Sequence, residues 1–82
     1  MGSNIDEKIG EWQQLVNKPV YTTDSKEVGI VRTIQPEHLV VEYGPVTRDK
    51  RYLIPKSSIN NFDRGIVYLN KDAKFVDDNY KF

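Results

Sequence analysis

A chain of 82 residues has room for one hydrophobic core and no second domain, and it buries so little of its unfolded surface, about 60 to 70%, that self-association is an expected source of extra stability. Twelve basic side chains balance twelve acidic ones, which excludes a global field drawing the chain to nucleic acid or to an anionic membrane. The lack of cysteine excludes disulfides and thiolate metal sites and fits a reducing, cytoplasmic setting.

Met1, Gly2 and Ser3 read as an initiator followed by a cloning scar, so residues 1–14 are expected to hold that scar and a short N-terminal helix. Ile5, Ile9, Trp12, Leu15 and Val16 recur at spacings of three and four, the pattern of one apolar helical stripe. Asn4 suits the cap and Glu7 the reciprocal position three residues on. Gly10 weakens the segment, which is short or starts only near Glu11, and Asn17 with Pro19 ends it. No apolar run reaches the roughly 20 residues that span a bilayer, so no membrane span is expected.

From Val20 onward, short stretches rich in Val, Ile, Tyr and Thr alternate with turn formers. Strands are expected over Val20–Thr22, Val28–Ile34, His38–Tyr43, Arg51–Ile54, Ile59–Phe62 and Ile66–Leu69. Asp24, Ser25 and Lys26 form the first turn, Gln35 and Pro36 the second, and Gly44 with Pro45 opens a longer charged loop. Asp63, Arg64 and Gly65 suit a three-residue hairpin loop with Gly65 left-handed. Strand two has apolar residues on both parities, which a bulge near Gly29 would reconcile. Pro55 marks the end of its strand or a sheet edge, and Lys56, Ser57 and Ser58 form a single 3₁₀ turn. Six short strands in so little chain indicate an all-β fold, a small closed barrel, with Trp12, Leu15, Ile34, Val41, Ile54 and Leu69 in its core. Residues 71–82 form a polar tail that either folds over one end of the barrel or frays, or else serves as an aromatic docking segment through Phe75, Val76, Tyr80 and Phe82.

Catalytic chemistry finds little support. His38 stands alone at a strand entrance, without partners at general-base or metal-ligand spacing. The adjacent Asp77 and Asp78 point apart on an extended chain, and the five glycines are too scattered to cradle a phosphate. No catalytic residue, cofactor or metal is therefore expected. One cluster concentrates charge, Arg48, Asp49, Lys50 and Arg51 followed by Lys56. With Tyr43 and Tyr52 it is either an ordinary charged hairpin or a contact face where phosphates are held and a base is stacked.

Leu15, Lys18, Pro19, Val20 and Tyr21, then Asp24, Ser25, Val28, Gly29, Val31 and Ile34, then Tyr52, Leu53, Ile54 and Pro55 follow an order that resembles the PRC-barrel family. The resemblance covers about Leu15 to Leu69, so a PRC-barrel domain is expected over residues 15–70, and Lys26 departs from it where many relatives carry glycine. It implies a small, strongly bent β-barrel of about six strands that binds partners without catalytic residues. The chain is most similar to stand-alone prokaryotic and archaeal members, some of which are cell-division scaffolds. The expected function is a non-enzymatic protein-binding adaptor that self-associates as a homodimer. The alternative is an RNA-associated factor, or one that binds a ribosomal protein as the barrel domain of a ribosome-maturation protein does.

Overall fold

A computed structural model describes residues 11–43 and 50–82 of the chain. The expected helical stripe is represented there by a 3₁₀ turn, Trp12–Leu15; Asn4, Ile5, Glu7, Ile9 and Gly10 lie outside the described residues. An α-helix does not continue past Leu15, because Asn17 turns to φ 70° and its N–H bonds to the Val31 carbonyl (2.8 Å), steering the chain into the sheet.

Among the described residues the strands are β1 (Pro19–Tyr21), β2 (Glu27–Ile34), β3 (His38–Tyr43), β4 (Lys50–Pro55), β5 (Ile59–Asp63) and β6 (Ile66–Leu69). All six expected strands form, His38–Tyr43 and Ile66–Leu69 with the expected bounds and the others with bounds shifted by one residue. They make one sheet in the order β4-β3-β2-β1-β6-β5, antiparallel throughout except where β1 and β6 run parallel. Between β4 and β5, Lys56–Ser58 forms the expected 3₁₀ turn.

Two bulges in β2 explain its mixed parity. Opposite Val20 and Tyr21, the pairing passes from Gly29 to Glu27 and leaves Val28 as the extra residue. Opposite Val41 and Val40, it passes from Val31 to Thr33 and leaves Arg32 over. An added residue resets the two-residue alternation. Val28, Val31 and Ile34 thereby reach the same core, while Thr33 stays exposed. Gly29 permits the close packing that accompanies the first bulge. Its φ is 149°, and a Cβ there would collide with the Glu42 carbonyl oxygen on β3.

The β5–β6 hairpin is tighter than expected. Asp63 pairs directly with Ile66, so the loop has two residues, and Arg64 as well as Gly65 takes a positive φ (53° and 79°). This is the type I′ geometry, whose twist matches that of the flanking strands where a three-residue loop would add a bulge.

Leu15, Val20, Val31, Leu39, Val41, Ile54, Ile59, Val67, Leu69 and Val76 are almost fully buried in one cluster, with Trp12 and Ile34 packed against it. Strand pairing does not close the expected barrel. β4 and β5, the outermost strands in the order, pair with β3 and β6 respectively and not with each other. The second edge of β4 is instead taken by residues 80–82, which follow a short helix, α1 (Ala73–Asn79). The tail is thus folded over one end of the sheet, and Val76 of α1 belongs to the core. No described helix is long and apolar enough to cross a membrane.

Candidate functional site

The edge of β4 and the segment lying on it gather most of the side chains singled out from the sequence. Lys81 bridges to Tyr52 in antiparallel fashion, with the Leu53 N–H donating to the Tyr80 carbonyl (2.8 Å) and the Phe82 N–H to the Arg51 carbonyl (3.0 Å). Side chains reinforce the seat: the Tyr80 and Ser58 hydroxyls lie 2.6 Å apart, and the Tyr52 hydroxyl donates to Asp77 Oδ1 at 3.2 Å. Burial, together with the Asp77 charge that accepts this bond, pushes the Tyr52 phenol above its ordinary pKa, because both oppose the phenolate.

The other end of α1 is tied to the β1–β2 turn. Asp72 caps the helix by accepting from the Phe75 N–H (2.8 Å), Asp24 Oδ1 accepts from the Ala73 N–H (3.1 Å), and the Thr23 N–H donates to the Lys71 carbonyl (3.0 Å). Asp24 also accepts a hydrogen bond from the Thr22 hydroxyl. That bond is the main reason the Asp24 carboxyl sits below its ordinary pKa, against an opposing desolvation and with the Ala73 N–H assisting.

The structure separates the residues expected to form a nucleic-acid face. Alternation along β4 puts Arg51 and Leu53 on one face and Tyr52 on the other, so Tyr52 is buried and cannot stack on a base. Arg51 Nε approaches Glu42 Oε2 at 3.4 Å, while Arg32 Nε approaches Oε1 of the same carboxylate at 3.4 Å. Lys56 lies over the Trp12 ring, 4.5 Å from its centre, at the opposite end of β4 from Lys50, whose ammonium is 5.9 Å from the exposed Tyr43 ring. Arg48 lies outside the described residues.

The expected docking segment also divides. Val76 is buried and Tyr80 packs against the core, whereas Phe75 is 39% exposed and Phe82 66%. Phase along α1 sets this difference: neighbouring residues are about 100° apart, so Val76 faces the sheet and Phe75 flanks it, edge-on to Tyr80 at 5.5 Å and beneath the Lys71 ammonium. Ser58, Asp24, Arg32 and Glu42 were not singled out from the sequence for these roles. Ser58 and Asp24 stand in turns that look ordinary, and Arg32 meets Glu42 only because of its bulge.

His38 opens β3 opposite Pro55, half-buried. Groups of three or more acidic or histidine side chains placed to hold a metal ion are absent among the described residues. A shallow hollow of about 480 Å³ beside β5 is lined by Thr22, Thr23, Ser25, Asn60, Asn61 and Tyr68, together with Leu69, and no charged side chain enters it. No family model, no curated protein and no solved structure matches the chain.

Proposed function

We propose that this chain is a non-enzymatic, protein-binding adaptor that self-associates, and that its sheet is a barrel of the PRC type left unpaired between β4 and β5. The observation that carries the binding reading is where the exposed apolar surface lies. Tyr43, Phe75 and Phe82 are the exposed large hydrophobic side chains among the described residues, and all three stand on or beside β4. Tyr43 faces Lys50 across the β3–β4 pair, Phe82 is bonded to Arg51, and Phe75 sits on the helix that covers the same strand. Aromatic groups rimmed by charge, here Lys50, Arg51 and Lys71, are what protein interfaces bury. The barrel type is supported by the order of sequence motifs from Leu15 to Pro55 and by the two bends in β2.

This arrangement favours a protein over RNA as the partner. An RNA face would need Tyr52 at the surface and Lys56 near Arg51, but Tyr52 is inside and Lys56 is engaged with Trp12.

Light scattering at micromolar concentration tests the self-association, with twice the chain mass of 9.5 kDa expected. A monomer mass across that range would remove it. Replacing Phe82 with serine should weaken association while leaving the fold intact, and unchanged association would move the interface away from β4.

A further inference from the structure

The two edge strands are finished differently. β5 has five residues, carries a bulge at Asn60 and ends on the exposed Asp63, so it is short, bent and charged in the way that resists strand addition. β4 runs in unbroken register with β3 through all six of its residues, and its other edge already carries an isolated antiparallel bridge to Lys81. Residues 80–82 bond to Leu53 N–H and Arg51 C=O, Ser58 meets the Tyr80 hydroxyl, and Val76 fills the core beneath.

The occupant of that edge is only partly committed to it. Two main-chain hydrogen bonds pair it with β4, side-chain bonds from Tyr52 to Asp77 and between Ser58 and Tyr80 add to them, and Phe82 keeps two thirds of its surface in solvent while docked. The helix before it has seven residues, too few to persist without the sheet. Val76 is the one fully buried side chain of residues 73–82, and a peripheral segment anchored at a single buried position opens at lower cost than the core does.

We propose that the β4 edge with Ser58 is a seat for an extended segment of a partner protein, and that residues 73–82 are its resident competitor. The partner segment carries an aliphatic residue in place of Val76, a hydroxyl-bearing aromatic in place of Tyr80 and a second aromatic two residues later. It joins β4 as an antiparallel strand, taking the same bonds from Leu53 and to Arg51. The resident segment lowers apparent affinity in proportion to the time it fills the seat. This rests on the protein-binding reading above and names its surface.

The test locks the resident segment in place. Arg51 and Phe82 stand opposite each other, one residue along from the Tyr52–Lys81 bridge and joined by the Phe82 N–H bond to the Arg51 carbonyl; Cα atoms of facing residues at such a position stand about 5.5 Å apart, a separation a disulfide spans, and the natural chain has no cysteine to interfere. The probe is a fluorescein-labelled synthetic peptide with the sequence of residues 71–82, followed by anisotropy against the full chain carrying Arg51→Cys and Phe82→Cys. The reduced form should bind saturably and the oxidised form at least tenfold more weakly. Tyr80→Ala in the otherwise natural chain, which loosens the competitor and leaves the seat whole, should bind at least threefold more tightly than the natural chain. Equal affinity in the oxidised and reduced forms would overturn the proposal. So would the absence of saturable binding to both the natural chain and the Tyr80→Ala variant up to about 1 mM peptide, a bound near 4 kcal/mol of binding energy. Light scattering on the natural chain separates the two claims. If it dimerises although the peptide does not discriminate between the oxidised and reduced forms, the seat falls and the adaptor reading stands; a monomeric natural chain removes the self-association itself.

Discussion

Gly29→Ala should be among the most damaging single substitutions in this sheet, although it adds only a methyl group. Two costs combine. At φ 149° an L-residue is strained, by an amount of order 1 to 3 kcal/mol. The new Cβ also meets the Glu42 carbonyl oxygen and carbon and the Tyr43 nitrogen, all main-chain atoms of β3, so no side chain can swing away to make room. β3 must retreat from β2, weakening one or two ladder hydrogen bonds around Ile30 and Glu42 at about 1 kcal/mol each. The expected loss is about 3 kcal/mol, against a total stability of about 4 to 12 kcal/mol for a domain of this size.

Urea denaturation of natural and variant chains, followed by tryptophan fluorescence, would measure it, and the melting temperature should fall by about 12 to 24 °C. Gly65→Ala is the matched control. It shares the positive φ, but nothing lies within 4 Å of its would-be Cβ, so it should cost only about 1 to 2 kcal/mol. Were Gly29→Ala to cost no more than Gly65→Ala, the close β2–β3 approach would not be holding the bulge as argued.

Arg64 occupies a left-handed position in the type I′ hairpin, so Arg64→Asn should stabilise the domain by up to about 1 kcal/mol, seen as a higher urea midpoint at unchanged slope. Val76→Ala removes two buried methyl groups from α1 and should cost about 2 kcal/mol, with amide exchange rising first in residues 73–82 if that segment opens independently. The Asp24 carboxyl lies below its ordinary pKa of 3.8, so its contribution is fully present above that value and is lost as pH falls through the lower folded value. Below pH 3.8 the natural chain should therefore lose stability that an Asp24→Asn variant, already lacking it at neutral pH, does not lose. Glu42→Gln leaves Arg32 and Arg51 facing each other across a mostly buried amide and should cost about 1 to 2 kcal/mol in thermal melts.

Which features were legible in the sequence follows from how local their causes are. The strands and most of the turns were readable because Pro19, Pro36, Pro55 and Gly65 set the backbone at their own positions, and β-branched runs fill the intervals. Gly29 marked a bulge in β2, but the second bulge, at Arg32, has no local signature. It exists because Leu39 and Val41 must both meet inward residues of β2. α1 was missed for a related reason: its seven residues carry one buried position, Val76, so no apolar stripe announces the helix, and docking against β4 stabilises it. The face of Tyr52 was fixed by the unbroken β4 register with β3, which puts Val41 opposite it. Tyr52 and Arg51 do not share one surface, because strand alternation sends adjacent residues to opposite sides.

The unpaired ends of the sheet connect these observations to function. The chain from β4 to β5 passes through only Lys56–Ser58, which brings the two edges close in sequence without pairing them, and residues 73–82 cover one of them. A polar segment would suffice if protection from unwanted pairing were the whole purpose, since charge and brevity already guard β5. The covering segment instead carries two phenylalanines that it leaves largely or partly in water, which cost solubility, beside a tyrosine that packs against the core and is hydrogen-bonded to Ser58. Their placement makes sense for an edge that is occupied reversibly, where the same aromatic and main-chain interactions serve the closed chain and the bound partner in turn.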